Sequence, residues 1–220
     1  MTDPDRARRA PADDGLVIVG LVGRAGSGKS TVARALAADG AAVIEADRVG
    51  HEVTEEDPEV RTALRRDYGD DVYGPDGRLD RARVAARVFA DPGARARLDR
   101  LVHPRLLARI ARRLEELRAQ GFRGVVVLDA ALLLDWGLER ECDAVLAVTA
   151  PEEEQVRRLG RMRGWSREEA LRRLAAQRAN HAFAAAADVT LDNTGTLEEL
   201  ARAARAAVPR LRGARPPERG

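Results

Sequence analysis

Eight consecutive residues constrain this chain more than any others: Gly23-Arg24-Ala25-Gly26-Ser27-Gly28-Lys29-Ser30 satisfies G-x-x-x-x-G-K-[ST] in full. The motif follows residues 16–22 (LVIVGLV), a short β-rich apolar run suited to a strand buried on both faces. It opens a stretch over 30–38 that reads as a helix and stops near Gly40. In that strand–turn–helix setting each fixed position has a physical reason. The glycines permit backbone angles that turn successive N–H groups inward around phosphate oxygens. The helix start aims its positive dipole end at the same anion. Lys29 then reaches the β- and γ-phosphates, and the Ser30 hydroxyl can ligate Mg²⁺. The expected ATP contacts are Gly23, Ala25, Gly26, Ser27, Gly28, Lys29, Ser30 and Thr31.

Composition sharpens the role of Lys29. It is the only lysine among 38 basic residues; the others are all arginine. A sequence so biased towards Arg keeps a compact ammonium where a planar guanidinium is not equivalent. The two charge signs are interspersed and the net charge is +2, so the pI of 9.2 describes solvated helix faces rather than a nucleic-acid track. Aromatic residues, at 3%, are too scarce for base stacking. No run of about 18 apolar residues exists, so no membrane span is expected. A single Cys, Cys142, flanked by Glu141 and Asp143, suits a reducing cytoplasmic setting and reads as a small buried residue, not a nucleophile.

Apolar runs at 42–44, 125–128, 144–148 and 189–191 read as further strands, with helical segments between them. The expected fold is α/β: a three-layer P-loop NTPase fold with a parallel sheet of about five strands. Residues 48–120 read as a helical acceptor region, turning at Tyr73-Gly74-Pro75-Asp76-Gly77, with helix boundaries at Asp91-Pro92-Gly93 and His103-Pro104. Residues 155–180 form an Arg-rich lid region broken at Gly164, and a last helix covers 197–207. The domain is expected over 15–208, between loose tails at 1–14 and 209–220.

Glu45-Ala46-Asp47 ends a strand expected to adjoin the P-loop strand, at the edge where open α/β sheets bind ligands. Asp47 there can take the proton of an attacking hydroxyl, hold the metal, or cap the next helix.

Residues 23–51 together strongly resemble the dephospho-CoA kinases, which phosphorylate the ribose 3′-hydroxyl of dephospho-CoA in the last step of coenzyme A biosynthesis. That family's P-loop is followed by a strand ending in D-x-D; here stand Glu45-Ala46-Asp47, then Arg48 and His51. The resemblance continues through Tyr68-Gly69, Asp76-Gly77, Phe89-Ala90-Asp91-Pro92 and Leu101-Val102-His103-Pro104. It resumes at 129–138, at 158–177, and from Ala187-Asp188 through Asp192-Asn193-Thr194-Gly195, covering nearly all of 16–208. It implies ATP and dephospho-CoA as substrates, with Mg²⁺ held by Ser30 and Asp47, and a monomer or weak oligomer. Asp47 becomes the general base. His103, Leu132, Leu133, Asp135 and Gln177 fall on the acceptor side, and Asn193 and Gly195 on the adenine side. The family carries one lid arginine; because Met162 occupies the intermediate slot, the register leaves Arg163 first and Arg161 second, among Arg158, Arg161, Arg163 and Arg167.

Several positions depart from the family pattern. Ala131 stands for a Pro, Asp135 for Glu, Glu45 for Asp and Phe183 for a basic residue, and Arg24-Ala25 replaces a Gly-containing pair. None touches Lys29, Ser30 or Asp47. They bear on the acceptor, and leave open another small-metabolite or nucleoside kinase of the same fold, or a non-catalytic nucleotide-binding regulator.

Overall fold

A computed structural model describes residues 15–91 and 93–213, which fall into two compact units, one formed by 15–44 with 121–213 and the other by 45–120. The expected tail at 1–14, the part of the expected 209–220 tail from 214 onward, and Pro92 lie outside the described residues.

The first unit is built on five strands, as the apolar runs predict: β1 (Leu16–Val22), β2 (Ala42–Glu45), β3 (Gly124–Asp129), β4 (Ala144–Thr149) and β5 (Val189–Asp192). Their order is β2-β3-β1-β4-β5, and β1 pairs in parallel with β3 and β4, as β4 does with β5. The period of two sends Val17, Val19 and Leu21 to one face with Val125, Val127, Leu146 and Val148. Helices α1 (Lys29–Ala38) and α9 (Leu197–Gly213) cover that face through Val32, Leu36, Leu200, Ala204 and Leu211. On the other face Gly20 admits Leu133 and Cys142, which a Cβ would meet at 2.9 and 3.0 Å. An aspartate ahead of each of two strands fixes its register. Asp143 accepts from Ile18 N–H at 2.7 Å before β4, and Asp188 accepts from Val145 N–H at 2.7 Å before β5.

The sequence reading placed β2 beside the P-loop strand; the structure puts β3 between them. A crossover helix fixes parallel direction but not adjacency. The inner place goes to β3, buried along nearly its whole length, while the half-exposed β2 takes the edge. The last helix also runs past its expected end, through Pro209 to Gly213, because Leu211 is fully buried in the same core.

The remaining helices of this unit are α6 (Glu152–Arg163), α7 (Arg167–Ala175) and α8 (Asn180–Ala186). Gly164, at φ 68°, ends α6 in the left-handed conformation that glycine alone adopts freely. Ser166 then caps α7 by accepting from Glu169 N–H.

The second unit comprises α2 (Ala46–Glu56), α3 (Pro58–Tyr68), α4 (Arg81–Ala90) and α5 (Ala94–Ala119) around Val53, Val60, Leu64, Tyr68 and Val102. Asp57 caps α3 and Asp80 caps α4 through their side chains. His103-Pro104 is not the helix boundary expected from proline. Pro104 lies inside α5, whose Val102, Leu106, Ile110 and Leu114 form a buried stripe at a spacing of four. That burial outweighs one missing hydrogen bond, and the Arg105 guanidinium donates to the Leu101 carbonyl at 3.0 Å within the same turn.

Candidate functional site

The turn between β1 and α1 is shaped by glycines that nothing else could replace. Gly23, Gly26 and Gly28 have φ of 145°, 74° and 112°. A Cβ would lie 2.3 Å from the Val148 carbonyl at Gly23 and 2.5 Å from the Asn193 amide at Gly28. Both backbone angle and space therefore demand glycine. Gly28 sits at the N-cap and α1 starts at Lys29, so the free N–H groups of its first turn face the loop. Ser30 is exposed there, and the Lys29 ammonium donates to the Gly23 carbonyl at 2.9 Å, folded back over the loop.

The loop is fastened from α6 and from the turn after β5. The Arg158 guanidinium donates to the carbonyls of Gly26, at 3.2 Å, Ser27 and Asn193, the last at 3.2 Å. The Asn193 amide donates to the Ser27 carbonyl at 2.7 Å, and its own N–H to the Thr149 carbonyl. Asn193, expected on the adenine side, is thus buried and spends its amide N–H on the loop; Gly195 lies two residues on, in the same turn. Around the loop, Ser27 Oγ, Asn193 Oδ1, Arg24 Nε and both side-chain polar atoms of fully buried Gln155 have no hydrogen-bond partner among the described residues. Buried polar atoms of this kind are costly to leave unpaired. The start of α1 beside these glycines, with Lys29 folded over the loop and Ser30 exposed, suits an anionic phosphate, so the residues present suit a nucleotide.

A sequence model of the dephospho-CoA kinase family matches residues 17–199. The chain belongs to the dephospho-CoA kinase family. It is 45% identical over 183 residues to a dephospho-CoA kinase of Thermobifida fusca, covering 83% of this chain and 90% of that one. It is 41% identical over 182 residues to one from Corynebacterium glutamicum, with the same coverage. A crystal structure of a Thermus thermophilus protein superposes with a TM-score of 0.77 at 37% identity, over 89% of this chain and 98% of that one. A dephospho-CoA kinase from Campylobacter jejuni shares the fold, with a TM-score of 0.60 at 19% identity over 90% and 98%.

Asp47 lies exposed in the first turn of α2, directly after β2. Glu45, not Asp47, is the N-cap, and neither caps through its side chain. The capping role weighed for Asp47 is therefore not the one it plays, and among the described residues its carboxylate makes no ion pair or hydrogen bond. His103 is half-buried in the middle of α5.

The family's remaining acceptor-side positions divide by burial. Leu133 is fully buried against Gly20 and Cys142, so it belongs to the core. Leu132 is half-buried, and Asp135 pairs with Arg178 at 2.8 Å. Gln177 accepts from the Ala25 N–H at 2.9 Å, which puts it on the phosphate loop. Phe183 is buried core of α8, which explains why no charge stands there.

Of the lid arginines, Arg158 is engaged with the loop and Arg167 pairs with Glu153, whose carboxyl that hydrogen bond holds below the usual range. Arg161 and Arg163 are exposed in the last turn of α6 and make no ion pair among the described residues, with 69%-exposed Met162 between them. The loop contacts of Arg24 and Arg158, and the burial of Gln155 beside the loop, were not legible from the sequence. The one signal for Gln155 was its place on the buried side of α6 with Val156 and Leu159.

Proposed function

We propose that this protein transfers the γ-phosphate of ATP to the ribose 3′-hydroxyl of dephospho-CoA. The observation that carries the reading is the glycine-walled cradle at 23–28 with Lys29 at the start of α1, in a chain of this family. Loop N–H groups and the dipole of α1 bind the phosphates, and Lys29 leaves the Gly23 carbonyl to follow the β- and γ-oxygens. Asp47, whose carboxylate is unengaged among the described residues, takes the proton of the attacking hydroxyl. Arg163, with Arg161 second, makes no ion pair among the described residues and can offer its guanidinium to the charge that spreads over the transferred group.

Among the described residues no group of three or more His, Cys, Asp or Glu could hold a metal by itself. Magnesium keeps water and phosphate ligands and needs few protein ones, so Ser30 and Asp47 are the fitting donors. When bound, Mg²⁺ neutralises charge on the β- and γ-phosphate oxygens. His103, Leu132 and Asp135 remain the proposed acceptor contacts, and Asn193 and Gly195 the turn nearest the base. No helix among the described residues is long and apolar enough to cross a membrane. With one buried thiol, Cys142, a cytoplasmic enzyme acting as monomer or weak oligomer is the proposed setting.

The test is ADP release from ATP and Mg²⁺ with and without dephospho-CoA. Acceptor-dependent ADP with CoA as product is expected, and Asp47→Asn should lower kcat by about 10²–10⁴-fold. Release that ignores dephospho-CoA but responds to adenosine or another small hydroxyl would move the assignment to a different kinase.

A further inference from the structure

The second position of the phosphate loop carries the least expected side chain in the molecule. Arg24 is 7% exposed, and its guanidinium reaches two helix ends. Nη1 donates to Glu152 Oε2 at 2.9 Å in the first turn of α6, and Nη2 donates to the Leu174 carbonyl at 2.6 Å in the last turn of α7. Both contacts suit the helix dipoles: an anion at a helix start, and a cation against orphan carbonyls at a helix end. One residue further, the Ala25 N–H donates to Gln177 Oε1, just beyond α7. The first half of the loop is therefore fastened to Glu152, Leu174 and Gln177, whereas the second half is held by Arg158 and Asn193.

Resting on the phosphate-loop reading above, we propose that Arg24 is a positioning residue for the ATP phosphates, setting the loop from beneath and joining it to α7. Arg24 meets no phosphate itself, since its donors are turned into the protein. The Ala25 N–H is one of the loop's own donors, and Gln177 and a phosphate oxygen compete for it. Nucleotide binding therefore releases Gln177 while Arg24 keeps the end of α7 attached.

The test is calorimetric titration of Arg24→Ala, Arg24→Lys and Glu152→Ala with ATP and Mg²⁺, beside thermal melts and steady-state kinetics. A hydrogen bond to a charged group is worth roughly a factor of ten in affinity, so Arg24→Ala should weaken ATP binding about tenfold. KM for ATP should rise to match, with kcat and KM for the acceptor changed less than about threefold. Arg24→Lys reaches only one of the two acceptors and should fall between, as should Glu152→Ala, which removes one partner from the exposed side. Hydrogen exchange at 174–178 should quicken on adding ATP, and more so in Arg24→Ala than in the wild type, where Arg24 still holds the Leu174 carbonyl. ATP affinity within about twofold of wild type in Arg24→Ala would overturn the proposal. If that variant gives no cooperative melt, the same result in both Arg24→Lys and Glu152→Ala overturns it. Because ATP binding is read without acceptor, a failure to phosphorylate dephospho-CoA would sink the substrate assignment and leave this inference standing.

Discussion

The phosphate loop and the surface of the helical unit use the same side chain in different ways. Around the phosphate loop, Arg24 and Arg158 are withdrawn from water and donate mostly to backbone carbonyls, those of Leu174, Gly26, Ser27 and Asn193. In the helical unit, arginines stand at the surface against carboxylates. Arg113 meets both oxygens of Glu52, at 2.8 and 2.6 Å; Arg105 meets Asp57 and Glu59; and Arg83 and Arg87 share Asp71. Tyr73 is flanked by the guanidinium groups of Arg61 and Arg65, 4.5 and 4.6 Å from its ring centre. A carbonyl neither titrates nor leaves, so a buried arginine on carbonyls fixes a shape. A carboxylate pair in water is screened and weak, so it adjusts a surface.

The largest effect expected from this difference lies at the one cation that is not arginine. Lys29→Ala should lower kcat/KM by about 10²–10³-fold, and Lys29→Arg should not restore it, because the fork cannot replace a point charge in the cradle. Restoration by Arg in steady-state assays would erase the distinction between Lys29 and its neighbours. Next, Arg158→Ala leaves carbonyls of Gly26 and Asn193 without that donor and should cost about 1–3 kcal/mol in denaturant unfolding. The matching change in the helical unit, Arg113→Ala, should cost less than about 1 kcal/mol. Adding 1 M salt should shrink the second cost and leave the first nearly unchanged, since the Debye length then falls to about 3 Å. Equal losses at both sites would break the comparison.

The smallest effect is in acid. Hydrogen bonds from Arg83 and then Arg87 hold the Asp71 carboxyl below the ordinary aspartate range, so its folded value lies under its unfolded one. Its contribution is present above the unfolded value, near about 4, and is lost as pH falls through the folded value. Asp71→Asn should therefore differ slightly from wild type in its denaturant midpoint at neutral pH. That difference should begin to shrink as pH falls below about 4 and vanish once pH lies under the folded value. A difference that persists at pH 2 would assign Asp71 a packing role instead.

Much of this could be read from residues alone, for reasons that differ by position. The five strands were legible because β1, β3 and β4 are buried on both faces and therefore carry unbroken apolar runs. The place of β2 was not legible, because adjacency depends on which strand is most apolar overall, a comparison across the sheet. Pro104 misled because the rule for proline is local, while the buried stripe of α5 is a property of the packed helix. Leu133 and Leu132 are chemically equal neighbours, and only packing made one core and left the other half-exposed. Gln177, expected on the acceptor side, came to the Ala25 N–H through contacts 152 residues apart in the chain.

By itself, the sequence determined the strand–loop–helix that cradles phosphate, since its glycines answer to local backbone angles and Lys29 to the chemistry of an anion. Tertiary structure alone decided which of the many arginines became buried fasteners of that loop. Every guanidinium has the same charge and donors, and only the fold sets which one meets a carbonyl out of water and which one meets a carboxylate in it.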